Sequence, residues 1–93
     1  EFHTGEYAHA FLDGDRDKVE RELRRITDMA ALAAKNGIEP HAGHGLTFEN
    51  VQPIAAIPQI AELNIGHYLI GEAVFVGLEH AIRRMRGLMD EVR

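Results

Sequence analysis

The sequence predicts an α/β fold with parallel strands, about three strand–helix units of a (β/α)8 TIM barrel. Three observations lead there. Short strand-like segments alternate with segments of helical periodicity. Two of the strand-like segments run directly into a histidine beside glycine. Three parallel strands with helices on one side would also leave open edges and an uncovered face, which closure into a barrel removes.

Glu1-Phe2-His3 reads as a strand end, and Thr4 to Gly14 as a loop with Asp13-Gly14-Asp15 as a turn signal. Val19, Leu23, Ile26, Ala30 and Ala33 then recur at steps of four and three, one face of a helix. Its other face carries Lys18, Glu20, Arg21, Arg24, Arg25 and Asp28. Asp17–Arg21 and Glu20–Arg24 have the acid-first orientation that favours a helix pair. Asn36-Gly37 supplies the stop, because glycine accepts the left-handed backbone at a helix C-terminus.

Ile38 to Ala42 reads as the second strand despite Pro40, which cannot donate to a ladder. Gly43-His44-Gly45 is a loop, and Thr47 suits the N-cap of a short helix over Glu49–Ile57 that Pro58 ends. Ala61 to Ile65 is the third strand. Tyr68–Val76 reads as a short buried helix, broken by Gly77. Leu78, Ile82, Met85, Met89 and Val92 line one face of a last helix, with Arg83, Arg84, Arg86, Asp90 and Glu91 toward water.

The 93 residues fall well short of the roughly 250 of a complete barrel. The chain also opens at Glu1 with neither Met nor a polar tail, like a strand entered midway. The expectation is that residues 1–93 form the C-terminal part of a single barrel domain whose N-terminal part lies outside this sequence. The 93-residue chain by itself is then expected to be inactive. Formal net charge is −5 and no basic stripe stands out, which argues against nucleic acid as the main partner. The apolar runs are far too short for a membrane span. With no cysteine there is no disulfide framework and no thiolate chemistry, a composition that fits the cytoplasm.

Candidate chemistry gathers at the strand ends. In Ala42-Gly43-His44-Gly45-Leu46 a histidine stands between two glycines just past a strand, where backbone is free to approach a ligand. The plain alternative is a turn with an exposed histidine. In Asn64-Ile65-Gly66-His67 a strand passes straight into a short helix, and helix N-termini offer free N–H groups to a phosphate. The plain alternative there is strand–helix packing. Gly45 and Gly66 would lie at the ends of neighbouring strands, so the two features reinforce each other. Glu1 and His3 point the same way from a strand. His41-x-x-His44 invites a metal reading, with His3 or His67 as a third ligand. No sequence-local carboxylate completes that set and the spacing is not a zinc pattern, so no metal is expected.

These motifs carry a resemblance. Glu1-Phe2-His3-Thr4-Gly5 with Tyr7-Ala8 comes first. Ala42-Gly43-His44-Gly45-Leu46-Thr47, Asn50-Val51 and Ile54-Ala55-Ala56-Ile57-Pro58 follow. Glu62-Leu63-Asn64-Ile65-Gly66-His67 completes the set. In order and spacing they resemble the C-terminal third of the pyridoxine 5′-phosphate synthase family. That family is a (β/α)8 barrel that condenses 3-amino-2-oxopropyl phosphate with 1-deoxy-D-xylulose 5-phosphate. Pyridoxine 5′-phosphate, inorganic phosphate and water are released. The resemblance implies His44 as proton donor and Glu1 as the carboxylate that stabilises transition-state charge. It implies Gly45, Gly66 and His67 as the aminoketone-phosphate site. It also implies a cytoplasmic homo-octamer with no metal or organic cofactor. The family's proton acceptors, a histidine and a glutamate, belong to earlier strands. His41 stands where some members have Asn, so no role transfers to it. Two other classes stay open: another phosphate-handling barrel, such as an isomerase or aldolase, and a non-catalytic barrel fragment.

Overall fold

The computed structural model describes residues 1–93. Its elements are β1 (Phe2–His3), α1 (Gly5–Asp13), α2 (Arg16–Lys35), β2 (His41–Gly43), α3 (Val51–Ala55), β3 (Glu62–Asn64), α4 (His67–Val76) and α5 (Leu78–Asp90). The strands form one parallel sheet in chain order. Phe2 and Leu63 flank Ala42, while His3 and Asn64 flank Gly43. The α/β class and the parallel order expected from the sequence are both present.

Residues 4–14 depart from the expected loop. They contain α1, held by a Thr4 carbonyl that accepts from Ala8 N–H (2.9 Å) and closed by Gly14 at φ 73°. The helix forms because Tyr7 and Ala10, three apart, both bury against the core. Two bounding glycines and so short an apolar stripe make this segment look like a turn in sequence. α2 matches its expectation, with the Asp15 side chain accepting from Lys18 N–H (3.1 Å) at its start and Asn36-Gly37 at its end. Its ion pairs differ: Glu22–Arg25 and Glu6–Lys18 close in place of Asp17–Arg21 and Glu20–Arg24.

β2 begins after Pro40 and is shorter than the expected strand. Proline has no N–H to give a ladder, but its carbonyl accepts from Ala61 N–H (2.9 Å), so Pro40 introduces the strand from outside it. α3 is shorter than Glu49–Ile57, and its N-cap position is Asn50, not Thr47, with no side-chain cap hydrogen bond; Pro53 lies in its first turn, where a missing N–H leaves nothing unpaired.

The last two helices correct two burial expectations. α4 has no buried residue: Val74 is 79% exposed and Phe75 85%. It is apolar on all sides, and α5 covers only one of them. On α5 the buried positions are Ala81 and Met85, while Leu78 and Ile82 stay about half exposed. The helix is rotated so that Ala81 and Met85, and not Leu78 and Ile82, meet the neighbours. No helix is long and apolar enough to cross a membrane.

The main core joins Tyr7, Ile26, Ala30, Ala42, Leu46, Ile54, Ile57 and Ile60, with Phe2 and Leu63 packed against it. Phe2, Ala42 and Leu63 therefore face the helices. Because side chains alternate along a strand, Glu1, His3, Gly43 and Asn64 share the opposite face of the sheet. That face is polar, and it leads to the C-terminal ends of the strands.

Candidate functional site

A cleft of about 500 Å³ opens where β2 and β3 end. All five sequence-derived candidates line it: Glu1, His44, Gly45, Gly66 and His67, together with Thr47, Asn64 and Tyr68. His41 is elsewhere. It stands at the N-terminal end of β2, its ring nitrogens 3.3 Å from the Glu39 carboxylate and 3.4 Å from that of Glu62.

The turn after β2 is held from three directions. His44 has φ 103°, a left-handed conformation that a non-glycine residue adopts at a cost of order 1–3 kcal/mol. The buried Thr4 hydroxyl donates to the His44 carbonyl (2.6 Å) and helps to offset that strain. Gly45 follows at φ 75°, and a Cβ there would stand 2.7 Å from Ala8 Cβ, so only glycine lets the turn lie against α1. Asn50 closes the far side. Its amide donates to the Gly45 carbonyl (3.2 Å), its side-chain oxygen accepts from Thr47 N–H (2.8 Å), and its carbonyl accepts from the Tyr7 hydroxyl (2.6 Å). Tyr7 is 0% exposed, and burial pushes its hydroxyl up to about 12, so it stays a donor across the ordinary pH range.

Glu1 reaches over the sheet into the space that Gly43 leaves by having no side chain; a Cβ at Gly43 would overlap the Glu1 carboxylate and the Asn64 carbonyl. The Asn64 amide donates to Glu1 Oε1 (3.2 Å). The carboxylate is thus steered toward the strand ends by one missing side chain and one amide.

The other wall is the start of α4. Gly66 is its N-cap, and the Gly66 carbonyl accepts from Ile70 N–H (3.0 Å), so the first N–H groups of α4 have no partner within the helix. An aromatic bracket holds this end in place. Phe48 meets Tyr68 edge-on with ring centroids 5.0 Å apart, and the Arg84 guanidinium lies 4.3 Å over the Phe48 ring. Burial, with the Glu49 and Glu72 carboxylates adding to it, raises the Tyr68 hydroxyl against a lowering hydrogen bond from Phe48. Tyr68 therefore faces the cleft as a neutral phenol.

Gly66 differs from its counterparts. Its φ is −126°, and a Cβ there would meet nothing within 4 Å. Neither conformation nor packing within the chain demands glycine at this position, in contrast to Gly43 and Gly45. Thr4, Asn50 and Asn64 are the contributors that sequence reasoning missed as site residues. Their signal lies in burial and long-range hydrogen bonds, which residue spacing does not carry.

Residues 1–91 match the family described as pyridoxal phosphate biosynthesis protein PdxJ. A pyridoxine 5′-phosphate synthase from Ruegeria pomeroyi is 56% identical over all 93 residues, which cover 38% of that protein. The proteins of the same name from Caulobacter sp. strain K31 and Zymomonas mobilis are each 58% identical over the whole chain, covering 37% and 35% of their lengths. The chain spans little more than a third of the length of the curated relatives it matches.

Proposed function

Since the chain belongs to the PdxJ family of pyridoxal phosphate biosynthesis proteins, we propose that it supplies the C-terminal strand–helix units of a (β/α)8 barrel with pyridoxine 5′-phosphate synthase activity. The barrel reading is supported by three parallel strands in chain order, by free outer edges on β1 and β3, and by a polar sheet face that no helix covers. In that barrel the strand ends form the catalytic face.

The aminoketone phosphate binds at Gly45, Gly66 and His67. The free N–H groups of α4 and the positive end of its dipole meet the phosphate oxygens, and His67 adds a side-chain donor. His44 gives a proton as the condensation expels phosphate and water, with an imidazole N–H as the donor. Glu1 lies across the cleft and balances the positive charge that develops on nitrogen along the way. Two walls that fix the phosphate and the proton donor convert a collision of two substrates into a reaction within one assembly. No metal or organic cofactor is required by this scheme. The exposed apolar side of α4 is consistent with burial in a larger assembly, which in this family is a cytoplasmic homo-octamer.

The observation that carries the proposal is Gly66: it lines the cleft at a helix N-terminus, and its missing side chain leaves the first N–H groups of α4 open to close approach by a ligand. The test is turnover by the full-length gene product with 3-amino-2-oxopropyl phosphate and 1-deoxy-D-xylulose 5-phosphate. Formation of pyridoxine 5′-phosphate supports the proposal. Failure with this pair, alongside conversion of a different sugar phosphate, points to a barrel isomerase or aldolase.

A further inference from the structure

We propose that His3 is a positioning residue whose ring holds the His44 imidazole in its working orientation over the cleft. The inference rests on the reading of His44 as the proton donor.

The two imidazoles pack against each other in a tilted stack, with centroids 4.0 Å apart and planes inclined by 31°. His3 is itself locked. Gly5 N–H donates to His3 Nδ1 (3.2 Å), so Nδ1 holds a lone pair and the neutral ring carries its proton on Nε2. Gly5 is also the only residue type that leaves room for the ring: a Cβ there would stand 2.5 Å from His3 Cε1 and 3.0 Å from Nδ1. Its φ is not positive, so conformation does not explain the glycine and ring clearance does. The His3 main chain is pinned as well, by its place opposite Gly43 and by the Arg25 guanidinium, which donates to its carbonyl (3.1 Å).

Thr4 holds the carbonyl of His44 and His3 holds its ring. Two successive residues at the end of β1 therefore fix both ends of one residue on the neighbouring turn. His44 is an exposed side chain on a strained turn, and the His3 ring is the contact that keeps its imidazole from leaving the cleft. Binding of phosphate at Gly66 would not need His3; proton delivery would.

The experiment is steady-state kinetics of the full-length gene product and its variants. His3→Ala should lower kcat by roughly 10- to 100-fold, the scale of a misplaced reacting group, with KM for the aminoketone phosphate within about threefold. His3→Phe keeps a flat ring against His44 and should recover most of kcat. Gly5→Ala pushes on the ring and should lower kcat alone, yet add nothing in the His3→Ala background, because both act through one contact. Equal losses in His3→Phe and His3→Ala would overturn the proposal. So would normal kcat in Gly5→Ala, which decides the matter if His3→Ala does not fold. His44→Gln separates the two levels. If it is impaired while His3→Ala is normal, only this inference falls; if it turns over normally, the reading beneath falls and takes this one with it.

Discussion

Gly45 and Gly66 face the same cleft, yet the structure gives them opposite reasons to be glycine, and alanine at each should separate folding from binding. In Gly45→Ala the left-handed backbone costs about 1–2 kcal/mol. The new Cβ, 2.7 Å from Ala8 Cβ, costs about 1–3 kcal/mol more as overpacking. The expected loss is therefore about 2–5 kcal/mol, seen as a lower urea midpoint at unchanged slope. In Gly66→Ala no left-handed backbone is needed, because φ is −126°, and the methyl meets open space, so the loss is about 1 kcal/mol, the scale of a weaker N-cap. Binding should show the reverse. A methyl between the phosphate and the first N–H groups of α4 removes about one charge-assisted hydrogen bond, about 1.5–3 kcal/mol. That corresponds to a Kd for 3-amino-2-oxopropyl phosphate weaker by roughly 10- to 150-fold. Urea unfolding and titration calorimetry on the full-length gene product read the two quantities. Wild-type affinity in Gly66→Ala would refute the assignment of its missing side chain to a ligand. A stability loss in Gly66→Ala as large as in Gly45→Ala would refute the claim that the space is open.

Further outcomes follow from the same geometry. His44→Gln should lower turnover by about 10²–10⁴-fold, the usual contribution of general acid–base transfer, while phosphate affinity holds. Asn50→Ala should destabilise by about 1–3 kcal/mol in chemical denaturation, since it removes the partners of the Gly45 carbonyl and Thr47 N–H in a partly buried turn. Tyr7 is raised from 10.0 to about 12 in the folded protein, so its contribution is whole below pH 10 and is lost as pH rises toward 12. Two units amount to about 3 kcal/mol; Tyr7→Phe should flatten that alkaline decline in urea midpoints measured at successive pH values. The 93-residue chain alone should form no pyridoxine 5′-phosphate at a rate near that of the full-length product, because the family's proton acceptors belong to other strands.

Much of the architecture was legible where one signal dominated. The Val19–Ala33 stripe and the Asn36-Gly37 stop define α2 without help from tertiary contacts. Likewise the placement of His44, Gly45, Gly66 and His67 on one cleft was readable because each glycine–histidine pair directly follows a strand, whereas Glu1 entered through the family resemblance. What sequence hid was set by the surroundings. α1 depends on burial of Tyr7 beneath Asn50, forty-three positions away, and nothing local announces it. α4 looked buried because it is apolar, but burial needs a partner, and α5 covers only one side. The rotation of α5 toward Ala81 and Met85 reflects the close approach of α3 and α4, which apolar spacing alone cannot weigh against Leu78 and Ile82. His3 was visible as a neighbour of Glu1, but its contact with His44 arises only when β1 and β2 pair.

The most direct measurement is a crystal structure of the full-length gene product with 3-amino-2-oxopropyl phosphate bound. The phosphate is expected against the N-terminus of α4, within hydrogen-bond distance of backbone at Gly45, Gly66 and His67, with the His44 ring packed on His3 and facing the bound aminoketone. A phosphate bound elsewhere, with this cleft empty, would contradict it.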